Sequence, residues 1–162
     1  MSAADATTVL TEVMQFAARY GAIVDDPRRI KEWPDLFADE ASYIVTTRRD
    51  RDEGARVAIM MDDTKGKILD RPHIIDDVWA GHYDAQATIH TISIPLLEEV
   101  TDSLVRARTA FTVDIAKEGG KSYRIAGEYL DEILRHPEGL RLRHRLVVLN
   151  ADVLPTYFVR PL

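Results

Sequence analysis

Five histidines, His73, His82, His90, His136 and His144, are the residues best suited to proton transfer in this sequence. A metal centre needs at least three converging ligands, commonly at short helical spacings. His82 and His90 are eight apart, which is no such pattern. A facial triad of two histidines and a carboxylate from distant segments remains open, although no spacing points to it. His90 shares strand parity with Ile92, Ile94 and Leu96, and His144 with Leu140, Leu142, Leu146 and Val148. Residues two apart lie on one face of a strand, so both imidazoles are predicted to face an apolar interior. There each is either a hydrogen-bonded core histidine or a pocket acid–base that titrates near neutrality.

The opposite face of the last long strand carries Arg141, Arg143 and Arg145, a basic stripe ~13 Å long. It reads as a solvated face, an ion-pair ladder or a protein interface, since arginine is favoured at interfaces. Nucleic acid fits poorly, because 21 Lys+Arg against 27 Asp+Glu leaves a net charge of −6. The chain has no cysteine. Disulfides, thiolate nucleophiles, Cys-ligated zinc and Cys-held iron–sulfur clusters are therefore excluded. The sequence has no Gly-rich phosphate loop, HExxH, Gly-x-Ser-x-Gly or EF-hand loop. Gly119-Gly120 reads as a turn. Asp62-Asp63 and Asp76-Asp77 are adjacent carboxylates that do not face each other on a helix, and are predicted at a solvated surface.

The elements that must position these residues divide the chain in two. Val9, Leu10, Val13, Met14, Ala17 and Tyr20 form one apolar helical stripe, punctuated by Gly21. Asp26-Pro27 starts a second, short helix, which Pro34 should kink or break. Ser42 to Thr47 reads as a strand, Arg48 to Gly54 as a charged loop, and Arg56 to Met61 as a short strand. Lys65 to Trp79 is helical in part, interrupted by Pro72. Strands are predicted at about 86–97, 103–117, 122–134 and 139–150, joined by short turn-rich links that favour antiparallel hairpins. The tail from Val153 to Leu162 could add an extended edge piece. Helices followed by long antiparallel strands in 162 residues give one α+β domain, with a strongly curved sheet wrapped around the N-terminal helices.

Face matching between the last two strands predicts Glu132 opposite Arg141 and Glu128 opposite Arg145. The same register puts Ile133 opposite Leu140, Tyr129 opposite His144 and Ile125 opposite Val148. It turns Asp131 inward beside Leu142, where it needs a place near the sheet end or a cation as yet unidentified. Met1 to Leu10 has neither a basic nor an apolar signal region, and no apolar run approaches the roughly 20 residues of a membrane span. The cytoplasm is the expected location.

Gly127-Glu-Tyr-Leu-Asp131, Gly139-Leu-Arg-Leu-Arg-His-Arg-Leu-Val-Val-Leu149 and Pro161-Leu162 together resemble the small (beta) subunit of aromatic-ring-hydroxylating Rieske oxygenases. Asp26 to Trp33, Leu36-Phe37-Ala38-Asp39-Glu40-Ala41 and Ser42-Tyr43-Ile44-Val45 match the same family, where they form a helix, a turn and the first strand. The resemblance runs from about Phe16 to Leu162, with terephthalate-, anthranilate- and salicylate-type oxygenases the most similar. It implies the cone-shaped α+β barrel shared with nuclear transport factor 2 and ketosteroid isomerase.

The resemblance further implies a non-catalytic role and no cofactor in this chain. The Rieske cluster and mononuclear iron belong to an alpha subunit, and the beta chains form the trimeric base of a three-alpha, three-beta assembly. Neither nucleic acid nor a membrane is an expected partner, and Arg141, Arg143 and Arg145 are the candidate contacts with neighbouring subunits. The competing reading is a free-standing isomerase, dehydratase or cyclase of the same fold. Such enzymes place a base and an oxyanion stabiliser in the cone, and the candidates here are His90, His144, Tyr20, Tyr129 and Asp25.

Overall fold

The computed structural model describes residues 3–79, 86–117, 120, 122–152 and 159–162. Helix α1 (Ala3–Asp25) buries Val9, Val13 and Tyr20 of the predicted stripe, together with Phe16, Ile23 and Val24. It does not stop at Gly21. A Cβ at Gly21 would lie 3.4 Å from Ile92 and 3.5 Å from His90, so the helix continues past a point of close approach to the sheet. Asp26 then caps a 3-10 segment, Pro27–Leu36, by accepting from the Arg28 N–H at 3.0 Å. Pro34 breaks nothing there, because the segment is never α-helical.

Strand β1 (Phe37–Thr47) starts upstream of the predicted Ser42. The stretch predicted as a charged loop instead forms a short helix, α2 (Arg48–Asp52). Thr47 caps it by accepting from the Asp50 N–H, and Arg49 and Arg51 suit its C-terminal end. Strand β2 (Met60–Asp62) is shorter than predicted. Helix α3 (Lys65–His73) contains Pro72 and ends in one wider turn, Ile74–Val78. Asp62 is not at a solvated surface. It is 4% exposed and receives both Nε and Nη2 of Arg71, at 2.8 and 2.6 Å, which ties α3 to β2.

The predicted strand 86–97 is two strands, β3 (Gln86–Ile92) and β4 (Leu96–Val100), parted just before Leu96 by Pro95. Then come β5 (Leu104–Lys117), β6 (Tyr123–His136) and β7 (Gly139–Leu149). The sheet order is β2-β1-β7-β6-β5-β3, with β4 beside the first half of β5. Its pairs are antiparallel except β1 with β7, which run parallel. The curved sheet closes over α1 and the 3-10 segment around one core. Among the described residues no helix is long and apolar enough to cross a membrane.

The predicted β6–β7 register is not the one formed. Asp131 pairs with Arg145, Glu132 with His144, Ile133 with Leu142 and Tyr129 with Val147, and the register shifts between Glu132 and Ile133. Arg143 is the extra residue in that shift. One extra residue inverts the parity of everything after it. Leu142, Arg145, Val147 and Leu149 therefore face inward, while Arg141 and His144 face outward. The cation that inward-facing Asp131 requires comes from the very stripe expected on the outer face. Of the tail, 153–158 and the edge strand predicted there lie outside the described residues, as do His82 and Gly119.

Candidate functional site

The middle of the cone holds an ion pair set among rings. Arg145 donates from Nε and Nη2 to the two carboxylate oxygens of Asp131 at 2.8 and 2.7 Å. Their side chains are 2% and 4% exposed. The guanidinium carbon lies 4.0 Å from the Tyr20 ring centre and 4.1 Å from that of Tyr129. Phe111 stacks on Tyr129 at 4.1 Å. Burial pushes the Tyr20 phenol up, against the opposing pull of Arg145. Burial, reinforced by Tyr20, also pushes Tyr129 up. These phenols are thus neutral packing partners of a cation, not bases poised near neutrality. Tyr43 and Trp33, at 5.2 Å between ring centres, close the next layer, and Leu162 is fully buried beside them.

His90 faces inward as predicted, its side chain 1% exposed. Asp25, the last residue of α1, sits at the edge of β3 that no other strand pairs with among the described residues. It accepts from the His90 ring Nδ1 at 2.6 Å, the His90 N–H at 2.7 Å and the Thr88 hydroxyl at 2.7 Å. One carboxylate thereby covers an edge donor that another strand could otherwise use. His90 Nε2 is buried without a hydrogen-bond partner among the described residues. Burial raises the Asp25 carboxyl, but the hydrogen bonds and charge of His90 outweigh it, and the group lies below its ordinary value of 3.8. A carboxyl depressed on folding stabilises the native state above its unfolded pKa, and that stability is lost as pH falls through the folded value. Asp25→Asn is therefore expected to lower Tm at neutral pH, by a gap that narrows as pH drops below 3.8. A gap of constant size in thermal melts from pH 7 to 2 would contradict this.

His144 is not in the interior. Its Nδ1 meets the Ser42 hydroxyl at 2.6 Å across the β1–β7 pair on the outer face. Next along the same row, Glu132 accepts from Arg106 Nε at 3.1 Å, and Arg106 also reaches Glu99 at 2.6 Å. Arg143 is half exposed and lies 4.0 Å from Glu132. Arg141 and Arg143 line an outer groove of about 670 Å³ with Phe37, Asp39, Glu40 and Leu134. Arg145 is fully enclosed and leaves the set of candidate contacts.

The fold thus brings Tyr20, Tyr129 and Arg145 together, ties Asp25 to His90, and separates His144 from all of them. Asp131, expected inward, completes the interior with Trp33, Tyr43 and Leu162, which were not singled out for it. Asp131 carried the one available signal, an acid on the apolar face of its strand. Among the described residues no three His, Asp or Glu side chains are placed to hold one metal ion.

These features define a cone-shaped α+β protein whose interior is taken up by an ion pair, stacked rings and a segment of its own chain. Residues 22–156 match the family model of the ring hydroxylating beta subunit, and the chain belongs to that family. It is the small subunit of an oxygenase. It is 24% identical over 153 residues to the anthranilate 1,2-dioxygenase small subunit of Burkholderia cepacia, spanning 93% of this chain and 92% of that one. A structure from Novosphingobium aromaticivorans, assigned as the beta subunit of an aromatic-ring-hydroxylating dioxygenase, superposes with a TM-score of 0.85 at 26% identity. It covers 97% of this chain and 99% of its own. The benzoate 1,2-dioxygenase beta subunit of Burkholderia mallei shares the fold with a TM-score of 0.77 at 15% identity, over 92% and 95% of the two chains.

Proposed function

We propose that this chain is a non-catalytic assembly subunit of a cytoplasmic oxygenase that acts on an aromatic acid. It forms a trimer that binds three iron-containing large subunits. The filled interior carries this reading: the residues an isomerase or cyclase would use are committed to packing, to an ion pair or to the outer face. Anthranilate and benzoate, named in two relatives, support an aromatic acid as the holoenzyme's substrate. A Rieske centre needs two cysteines, and this chain has none, so the redox groups would reside in the partner. Arg141 and Arg143, beside the outer groove, are the contacts we assign to a neighbouring subunit.

Co-expression with the large subunit tests this. The two chains are expected to co-purify in equal numbers as a hexamer, with no turnover by the small chain alone. Arg141→Glu with Arg143→Glu is expected to cut recovery of the complex by about tenfold or more while the small chain alone still folds, its Tm lowered only modestly by the lost pairs to Glu138 and Glu132. A stable 18.3 kDa monomer indifferent to the large chain would overturn the assignment. Unchanged recovery of the complex from the double variant would overturn the contact residues.

A further inference from the structure

Residues 160–162 sit in the cone as a ligand would. Arg160, Pro161 and Leu162 are buried, and the Leu162 side chain joins the core. Two phenols from different elements grip the backbone of one residue, Leu162. Tyr43, on β1, accepts from the Leu162 N–H at 2.8 Å, and Tyr20, on α1, donates to the Leu162 carbonyl at 2.6 Å. Arg160 donates from Nη2 to the Val24 carbonyl at 2.7 Å. Val24 lies in the last turn of α1, whose carbonyls lack intrahelical partners, and that turn has no basic residue of its own. Arg160 supplies the missing positive charge at the negative end of the helix.

An apolar socket, a donor and an acceptor for the backbone of one residue, and an acceptor for a guanidinium are the parts of a peptide-recognition site. We propose that the part of the cone bounded by Tyr20, Tyr43 and the last turn of α1 is a peptide-binding site, occupied in cis by residues 160–162, whose ligand class is an extended Arg-Pro-aliphatic segment. Covalent attachment makes the binding intramolecular, so a modest intrinsic affinity suffices to fill the site. The inference is independent of the oxygenase reading. It requires only that the contacts to Tyr20, Tyr43 and Val24 form.

A chain lacking residues 159–162 and the free peptide Val-Arg-Pro-Leu test it. The shortened chain is expected to melt several degrees lower, and the peptide is expected to restore Tm saturably at about millimolar concentration. A Val-Arg-Pro-Gly peptide should be weaker by roughly tenfold or more, the worth of a buried leucine side chain. An unchanged Tm on shortening, or a loss that saturating peptide does not reverse, would overturn the proposal. If the shortened chain does not fold, hydrogen exchange of the Leu162 amide in the full chain decides. Slow exchange that accelerates about a hundredfold in Tyr43→Phe supports the site, and fast exchange in the parent chain overturns it. Neither result bears on co-purification with a large subunit, so the two readings fail separately.

Discussion

Asp131→Asn is expected to lower the unfolding free energy by about 3–5 kcal/mol, the cost of leaving one member of a buried ion pair uncompensated. Burial works against the Arg145 charge, and Asp131 opposite it keeps the guanidinium protonated. Asparagine fills the same space but removes the negative charge from a group whose side chain is only 2% exposed. The Tyr20 and Tyr129 faces soften the loss without replacing a counter-charge. Asp131→Leu combined with Arg145→Met should cost less than either change alone, because no orphaned charge remains and a flexible side chain keeps some contact with the rings. Urea titrations of the single and double variants measure both. A loss below about 1 kcal/mol in Asp131→Asn would mean that water reaches the pair.

Gly127→Ala is expected to cost about 3 kcal/mol or more, a large penalty for one methyl group. A Cβ at this position would fall 2.4 Å from the Val148 carbonyl oxygen and 3.1 Å from Phe111 Cε1. The first obstacle is backbone of the neighbouring strand, which cannot swing aside without disturbing the β6–β7 ladder. The second is the ring that stacks on Tyr129. The fold therefore admits no side chain where Phe111 crosses β6, and Gly127→Val should fail to give soluble protein. Wild-type stability in Gly127→Ala would show that the strands separate more readily here than their pairing implies.

Sequence patterning located the long strands because their inward positions alternate cleanly, as in Ile125, Gly127, Tyr129, Asp131 and Ile133. It failed where a single residue departs from the period. The bulge at Arg143 carries no composition signal, since arginine suits an outer face, and it reversed the assignments of His144 and Arg145 together. A stricter reading of Asp131 would have found it: an acid fixed on a buried face demands a cation on the facing strand, and only a shifted register supplies one. The start of β1 was hidden for another reason. Ala38, Asp39 and Glu40 have the polarity of a turn and lie in a register shift between Phe37 and Ser42, whose parallel pairing to β7 links distant segments. The interior role of Leu162 was invisible because its partners, Tyr20 and Tyr43, lie far away along the chain.

The β1–β7 pair also sets the order in which the chain can be completed as it is made. Ser42 and His144 are neighbours in the sheet but 102 residues apart in sequence. While the ribosome is still producing β5 and β6, β1 has only the three-residue β2 beside it, and α1 has no closed cone to fill. Strands β5, β6 and β7 are joined by short links and can zip in sequence as they emerge, whereas β1 must wait for the last of them. The nascent chain thus carries an unpaired β-rich edge through most of its synthesis, and only the arrival of β7 removes it.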